Sequence, residues 1–316
     1  MRAGKEGFLK KAGVLCLSFA LVAGALTGVA APEEAEAHHR TYKTSSIVVD
    51  AHTGEIYSAS KADARRYPAS LTKIMTMVVT FDAIKAGKIN LETELKVPRA
   101  ATKVERSKLG LKEGQHIRVK KAISALIVKS ANDVAVTLAW NIARNEKGFV
   151  KLMNAKARQI GLEHTHFANA SGLFDPRQVT TARDMAKLAK HLINEYPGFY
   201  EYFSRQNFEF DGITYDTHNH LMQRYEGMDG IKTGYIQASG HNLVSSAQRD
   251  GTRLVGVIFG GHSAAERDAE MAEKLDAAFS VATGKTNNPH NSQDPIPPLA
   301  NRENSRVFAA LPVRMP

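Results

Sequence analysis

Strand-like patterning brackets a long helical centre in this chain of 316 residues, and that segregation limits the fold more than any single motif. Ser45 to Asp50 and Glu55 to Ala59 flank His52-Thr53-Gly54 and read as a hairpin. Helical periodicity follows. Leu71 to Ala86 stops at Gly87, Val119 to Val128 and Asn132 to Arg144 are apolar and alanine-rich, Gly148 to Ile160 stops at Gly161, and Thr181 to Asn194 stops before Pro197. Strand patterns return in Phe208–Tyr215, Asp229–Ile236, Asn242–Gln248 and Thr252–Phe259, the last two joined by Asp250-Gly251, and a helix over Ala264–Val281 closes the series. These elements predict an α+β fold. Its mainly antiparallel five-stranded sheet is flanked by terminal helices, with an all-helical subdomain inserted and the first hairpin meeting the late strands. A cleft is expected where sheet and helical subdomain meet.

The ends read differently. Arg2, Lys5, Lys10 and Lys11 precede an apolar run from Ala12 to Ala31, and Ala35-Glu36-Ala37 offers a small-residue cleavage site. Residues 1–37 are therefore expected to be a signal peptide removed after Ala37, giving an exported protein, periplasmic or extracytoplasmic. Cys16, the sole cysteine, falls inside that leader, so thiol catalysis and disulfides drop out of the mature protein. The leader holds four basic and four acidic residues, and its removal leaves the net charge of +10 unchanged. Such a charge fits a weak association with an anionic membrane or wall surface. No zinc finger or aromatic-basic RNA motif is present, and with export this excludes nucleic acid as the partner. Six of the eleven prolines lie beyond Gly284, so residues 284–316 are expected to form a disordered Pro/Asn-rich tail and 38–283 the catalytic domain.

Chemistry is concentrated in three short segments. Ser70-Leu71-Thr72-Lys73 places a hydroxyl and an amine one turn apart at the start of a helix, where positions three apart share a face. A second Ser-x-x-Lys, Ser58 to Lys61, falls on a strand end, where the same spacing points the two side chains apart. Ser130-Ala131-Asn132 adds another hydroxyl with an amide beside it. Lys232-Thr233-Gly234 supplies a cationic strand able to hold a carboxylate. A serine needs something to take its proton, and Lys73 can do so once burial, the positive end of its helix and a second cation, Lys232, lower its pKa. The backbone N–H groups of Ser70 and Tyr235 are the expected oxyanion donors.

The constellation resembles the active-site serine penicillin-binding protein and β-lactamase superfamily, and most closely its low-molecular-mass D-alanyl-D-alanine carboxypeptidases. Tyr67-Pro68-Ala69-Ser70-Leu71-Thr72-Lys73, Lys129-Ser130-Ala131-Asn132-Asp133 and Asp229-Gly230-Ile231-Lys232-Thr233-Gly234-Tyr235 are similar to that family's three motifs. Asn169-Ala170-Ser171-Gly172-Leu173 and Thr181-Ala182-Arg183-Asp184-Met185 are similar to its intervening segments. The resemblance implies a β-lactamase/transpeptidase-like fold and peptidoglycan stem peptides as substrate, with β-lactams as covalent inhibitors. It also implies roles: Ser70 forms the acyl-enzyme, Lys73 is the base, and Ser130 relays a proton to the departing D-alanine. Asn132 binds the peptide backbone, while Lys232, Thr233 and Gly234 hold the end bearing the carboxylate. Ile236 stands where the family would place a small hydroxyl residue.

Cross-link cleavage by a D,D-endopeptidase uses the same chemistry and is the nearest alternative, followed by a β-lactamase or an inactive wall-binding protein. A β-lactamase usually carries a deacylating glutamate in a Glu-x-x-Leu-Asn stretch, and none occurs. No cofactor is implied. The closest histidine pairs, His164/His166 and His218/His220, have no neighbouring ligand set and are expected to be solvated or hydrogen-bonded rather than metal-binding. Trp140 is expected in a helix core.

Overall fold

The computed structural model describes residues 42–285. The expected leader, its cleavage after Ala37 and nearly all of the expected tail lie outside the described residues.

The hairpin β1 (Ser45–Asp50) and β2 (Ile56–Ser60) opens the described chain. Helix α1 (Thr72–Lys85) follows, then β3 (Glu94–Lys96), α2 (Arg99–Thr102), β4 (His116–Arg118) and α3 (Val119–Ser124). Helices α4 (Asn132–Ala143), α5 (Glu146–Ile160), α6 (Ala182–Glu195) and α7 (Pro197–Tyr200) complete the helical centre. The ribbon β5 (Asn207–Phe210) and β6 (Ile213–Asp216) precedes β7 (Met228–Ile236), β8 (Gly240–Arg249), β9 (Thr252–Gly261) and α8 (Ala264–Ala282). The main sheet is antiparallel in the order β2-β1-β9-β8-β7, so the first hairpin does join the late strands. The pairs β3/β4 and β5/β6 form two small separate sheets.

Period-two alternation divides this sheet between two cores. Ile47 and Val49 of β1, with Val255, Val257 and Phe259 of β9, face the helical centre and meet Met185, Leu188 and Leu192 of α6. Val48, Leu254 and Ile258 point the other way, against Met271, Leu275 and Phe279 of α8. Each such fully buried side chain contributes about 1.5–3 kcal/mol. Among the described residues α8 is the one terminal helix on that outer face.

Local signals set the boundaries. Asp250 and Gly251, with φ of 47° and 82°, make the two-residue turn between β8 and β9 that matches strand twist. Ser263 caps α8 by accepting from Glu266 N at 3.0 Å, and Gly161 ends α5 in the left-handed region. Trp140 departs from expectation. It is 38% exposed on α4, because the core side of that helix is filled by Val134, Ala135, Leu138 and Ala139.

Helix α1 is buried on nearly every side, from Thr72 to Ala83. A helix enclosed in this way has no solvent face on which a lysine can stay hydrated, and Lys73 is fully buried.

Candidate active site

Ser70 does not occupy the first turn of an α-helix. It sits in a 3-10 turn, Ala69–Leu71, that leads into α1. Ala69 has φ of 48°, a region costly for a residue with a Cβ, and this sharp bend presents Ser70 at the junction. The strand-like pairing of Arg66 with Thr180 holds the approach to the turn. The expected partnership survives the change: Lys73 Nζ lies 3.0 Å from Ser70 Oγ. The other Ser-x-x-Lys does not assemble, since β2 ends at Ser60 and Lys61 is exposed.

Three oxygens surround Lys73 Nζ: Ser70 Oγ, Asn132 Oδ1 at 2.7 Å and the carbonyl of Ser171. An uncharged amine has two hydrogens and one lone pair. The amide and carbonyl oxygens can only accept, so they take the hydrogens. The lone pair is left for the one neighbour that can donate, the Ser70 hydroxyl. Burial, reinforced by the charge of Lys232 and opposed by Asp133, pushes the Lys73 pKa well below that of an ordinary lysine.

Ser130 follows a wide π-turn, Ala125–Lys129, and has a left-handed backbone (φ 58°, ψ 37°) that breaks α3 from α4. Its Oγ is buried with no hydrogen-bond partner among the described residues. Asn132 begins α4 and is held at both ends: its N–H donates to Ser107 O at 2.7 Å and its Nδ2 to Glu105 O at 3.0 Å. Asp133 fixes the adjoining loop by accepting from the N–H groups of Leu109, Gly110 and Leu111 at 2.8–3.1 Å.

Strand β7 is an edge of the sheet and closes the site from the other side. A Cβ at Gly234 would come within 3.1 Å of Ser70 N, so the missing side chain lets the strand approach the nucleophile. Lys232 is buried, donates to Thr233 O at 3.0 Å, and has its pKa lowered to about 7 by burial and then by Arg267. Ser70, Ser130, Asn132, Thr233, Gly234 and Tyr235 line one cleft of about 540 Å³, with Lys73 and Lys232 buried behind it. All eight residues expected from the sequence are thus brought together.

Other contributors carried no role in the sequence reading. The carbonyl of Ser171 reaches Lys73, and Asn169 Oδ1 shapes that segment by accepting from Ser171 N and Gly172 N. Gly172 has φ of 87°, and a Cβ there would strike the carbonyl of Ala69. Asn-x-x-Gly was legible as a turn signal, though not as a support for the nucleophile. Arg267 lines the cleft, fixed by Asp268, and adds a cation beside Lys232. His218 and His220 also open onto it, whereas His164 lies by Asp184. Among the described residues no group of three potential metal ligands occurs.

The family model described as D-alanyl-D-alanine carboxypeptidase matches residues 31–263. The D-alanyl-D-alanine carboxypeptidase DacF of Bacillus subtilis is 34% identical over 241 residues, covering 75% of this chain and 62% of its own. The chain spans about three fifths of the length of the curated relatives it matches. Penicillin binding protein 5 from Haemophilus influenzae aligns with a TM-score of 0.73 and 34% identity, over 76% of this chain and 72% of that one. Penicillin-Binding Protein D2 from Listeria monocytogenes, solved in its ampicillin-bound form, aligns with a TM-score of 0.69 and 27% identity, over 74% and 96%. With the match spanning most of the chain and the three motifs converging on one cleft, the chain belongs to the D-alanyl-D-alanine carboxypeptidase family.

Proposed function

We propose that the protein is a serine-type D-Ala-D-Ala carboxypeptidase that removes the terminal D-alanine from peptidoglycan stem peptides. One observation carries the reading: a fully buried lysine amine stands 3.0 Å from Ser70 Oγ, with Asn132 Oδ1 and the Ser171 carbonyl there to take its hydrogens.

Lys73 takes the Ser70 proton as Oγ attacks the carbonyl of the penultimate D-alanine. The N–H groups of Ser70 and Tyr235 stabilise the oxyanion, and loss of one such donor lowers the rate by about 10²–10³. As the C–N bond breaks, the proton passes from Lys73 through Ser130 to the departing amine, and D-alanine leaves. Water then attacks the ester with Lys73 again as base, regenerating the Ser70 hydroxyl. Lys232 and Thr233, with Arg267 nearby, hold the terminal carboxylate, and Asn132 positions both Lys73 and the peptide backbone. β-Lactams acylate the same serine. The enzyme acts outside the cytoplasm after loss of residues 1–37; among the described residues no helix is long and apolar enough to cross a membrane.

Mass spectrometry after penicillin exposure tests the reading. A covalent adduct on Ser70, absent from Ser70→Ala, supports it. No adduct on the wild-type protein overturns it in favour of a wall-binding protein.

A further inference from the structure

A second, larger cavity of about 780 Å³ adjoins the cleft, lined by Tyr42, Lys43, Arg65, Arg66, Tyr67 and the turn that follows β7. Gln237 borders both cavities. Between them stand Tyr67, on the groove side, and Phe174, on the cleft side, in edge-to-face contact with ring centroids 5.2 Å apart.

The groove is basic by construction. None of its lining residues is acidic. Asp175, next to the lining Pro176, is already held by Arg177 at 2.6 Å. Arg66 is braced by the carbonyls of Thr44 and Arg65, to which it donates at 2.7 and 2.8 Å. Lys43 and Arg65 are exposed, and neither makes an ion pair among the described residues. Two unpaired cations beside a third, fixed one form a standing positive field at the mouth of the site.

Substrate direction links this groove to catalysis, on the carboxypeptidase reading given above. The terminal carboxylate belongs at Lys232 and Thr233, and Ser70 lies beside Gly234. The peptide upstream of the scissile bond therefore runs past Tyr235 and Ile236 toward Gln237. An extended chain on a strand edge advances about 3.3 Å per residue, so the three steps from Gly234 to Gln237 take it about 10 Å, into the basic groove. We propose that the groove bounded by Lys43, Arg65 and Gln237 is a second substrate-binding site, which takes an anionic group carried about three residues upstream of the bond that Ser70 attacks.

The test compares three synthetic peptides ending in D-Ala-D-Ala: a pentapeptide with a carboxylate upstream, the same pentapeptide with that carboxylate amidated, and a neutral tripeptide. In the double variant Lys43→Gln/Arg65→Gln, kcat/KM on the acidic peptide should fall about five- to tenfold at low salt. The other two should change less than twofold, and the difference should close at high salt, where exposed charges are screened. Equal losses on all three peptides, or none on the acidic one, would overturn the proposal while leaving the carboxypeptidase reading intact. Failure of the wild type to cleave any of them would overturn both. Loss of binding to a soluble polyglycerol phosphate, with the peptide ratios unchanged, would assign the groove to an anionic polymer instead.

Discussion

Lys73 and Lys232 are asked for opposite protonation states, and their surroundings decide whether both can be met. If Lys73 is the base proposed above it must be neutral to act, so activity should rise as pH climbs through its lowered pKa. On the proposed mechanism Lys232 must be charged to hold a carboxylate, so substrate capture should fall as pH climbs through its own value of about 7. The alkaline limb of kcat/KM, which reports the free enzyme, should therefore lie well below the pKa of an exposed lysine. Lys232→Arg keeps the cation at every working pH; its absolute rate should drop, but that limb should vanish from the profile. Gly172 tests the geometry independently. Gly172→Ala would push a methyl group against the Ala69 carbonyl and shift the nucleophile turn. We expect a loss of about 10² in kcat/KM, the scale of an ångström-sized misplacement, with circular dichroism unchanged.

Helix α1 buries a titratable group at each end. Lys73 lies near its start, and near its end Asp82 accepts from Tyr196 OH at 2.5 Å and pairs with Lys156 at 2.6 Å, both charged partners being almost wholly buried. Asp82→Ala would strand the ammonium of Lys156 and should destabilise by about 3–5 kcal/mol, read as a lowered denaturation midpoint. Asp82→Leu/Lys156→Leu should recover most of that loss. His191 of α6 packs on Tyr196 with both ring nitrogens lacking hydrogen-bond partners. Burial, then Lys156 and Lys85, lowers its pKa to about 3. The unfolded chain binds this proton near pH 6.5, so the stability contribution is complete above that pH and is lost as pH falls toward 3. His191→Leu should flatten the acid slope of Tm over that interval.

Across the whole molecule, the sequence announces what repeats and hides what does not. Strand patterns in Ser45–Asp50 and Thr252–Phe259 placed the first hairpin with the late strands, and Gly87 and Gly161 marked helix ends, so sheet, insertion and cleft were legible. Secondary structure, not spacing, chose Ser70 over Ser58, since both serines stand three residues before a lysine. Illegible were the features made by single backbone conformations or by distant chain crossings: the left-handed Ala69, the π-turn before Ser130, and the Ser171 carbonyl brought to Lys73 from 98 residues away. Trp140 looked like core because it is large and apolar, but α4 had already filled its inner face with smaller side chains. The most direct check on the account is the pH dependence of Ser70 acylation by benzylpenicillin, followed by mass spectrometry in the wild type and in Lys73→Arg. With a neutral amine as base, the wild-type rate should be half-maximal well below the roughly 10.4 of an exposed lysine, and the permanently charged arginine should cost about 10²–10⁴ in rate. A half-maximum at the ordinary lysine value, or an arginine variant that acylates at the wild-type rate, would contradict it.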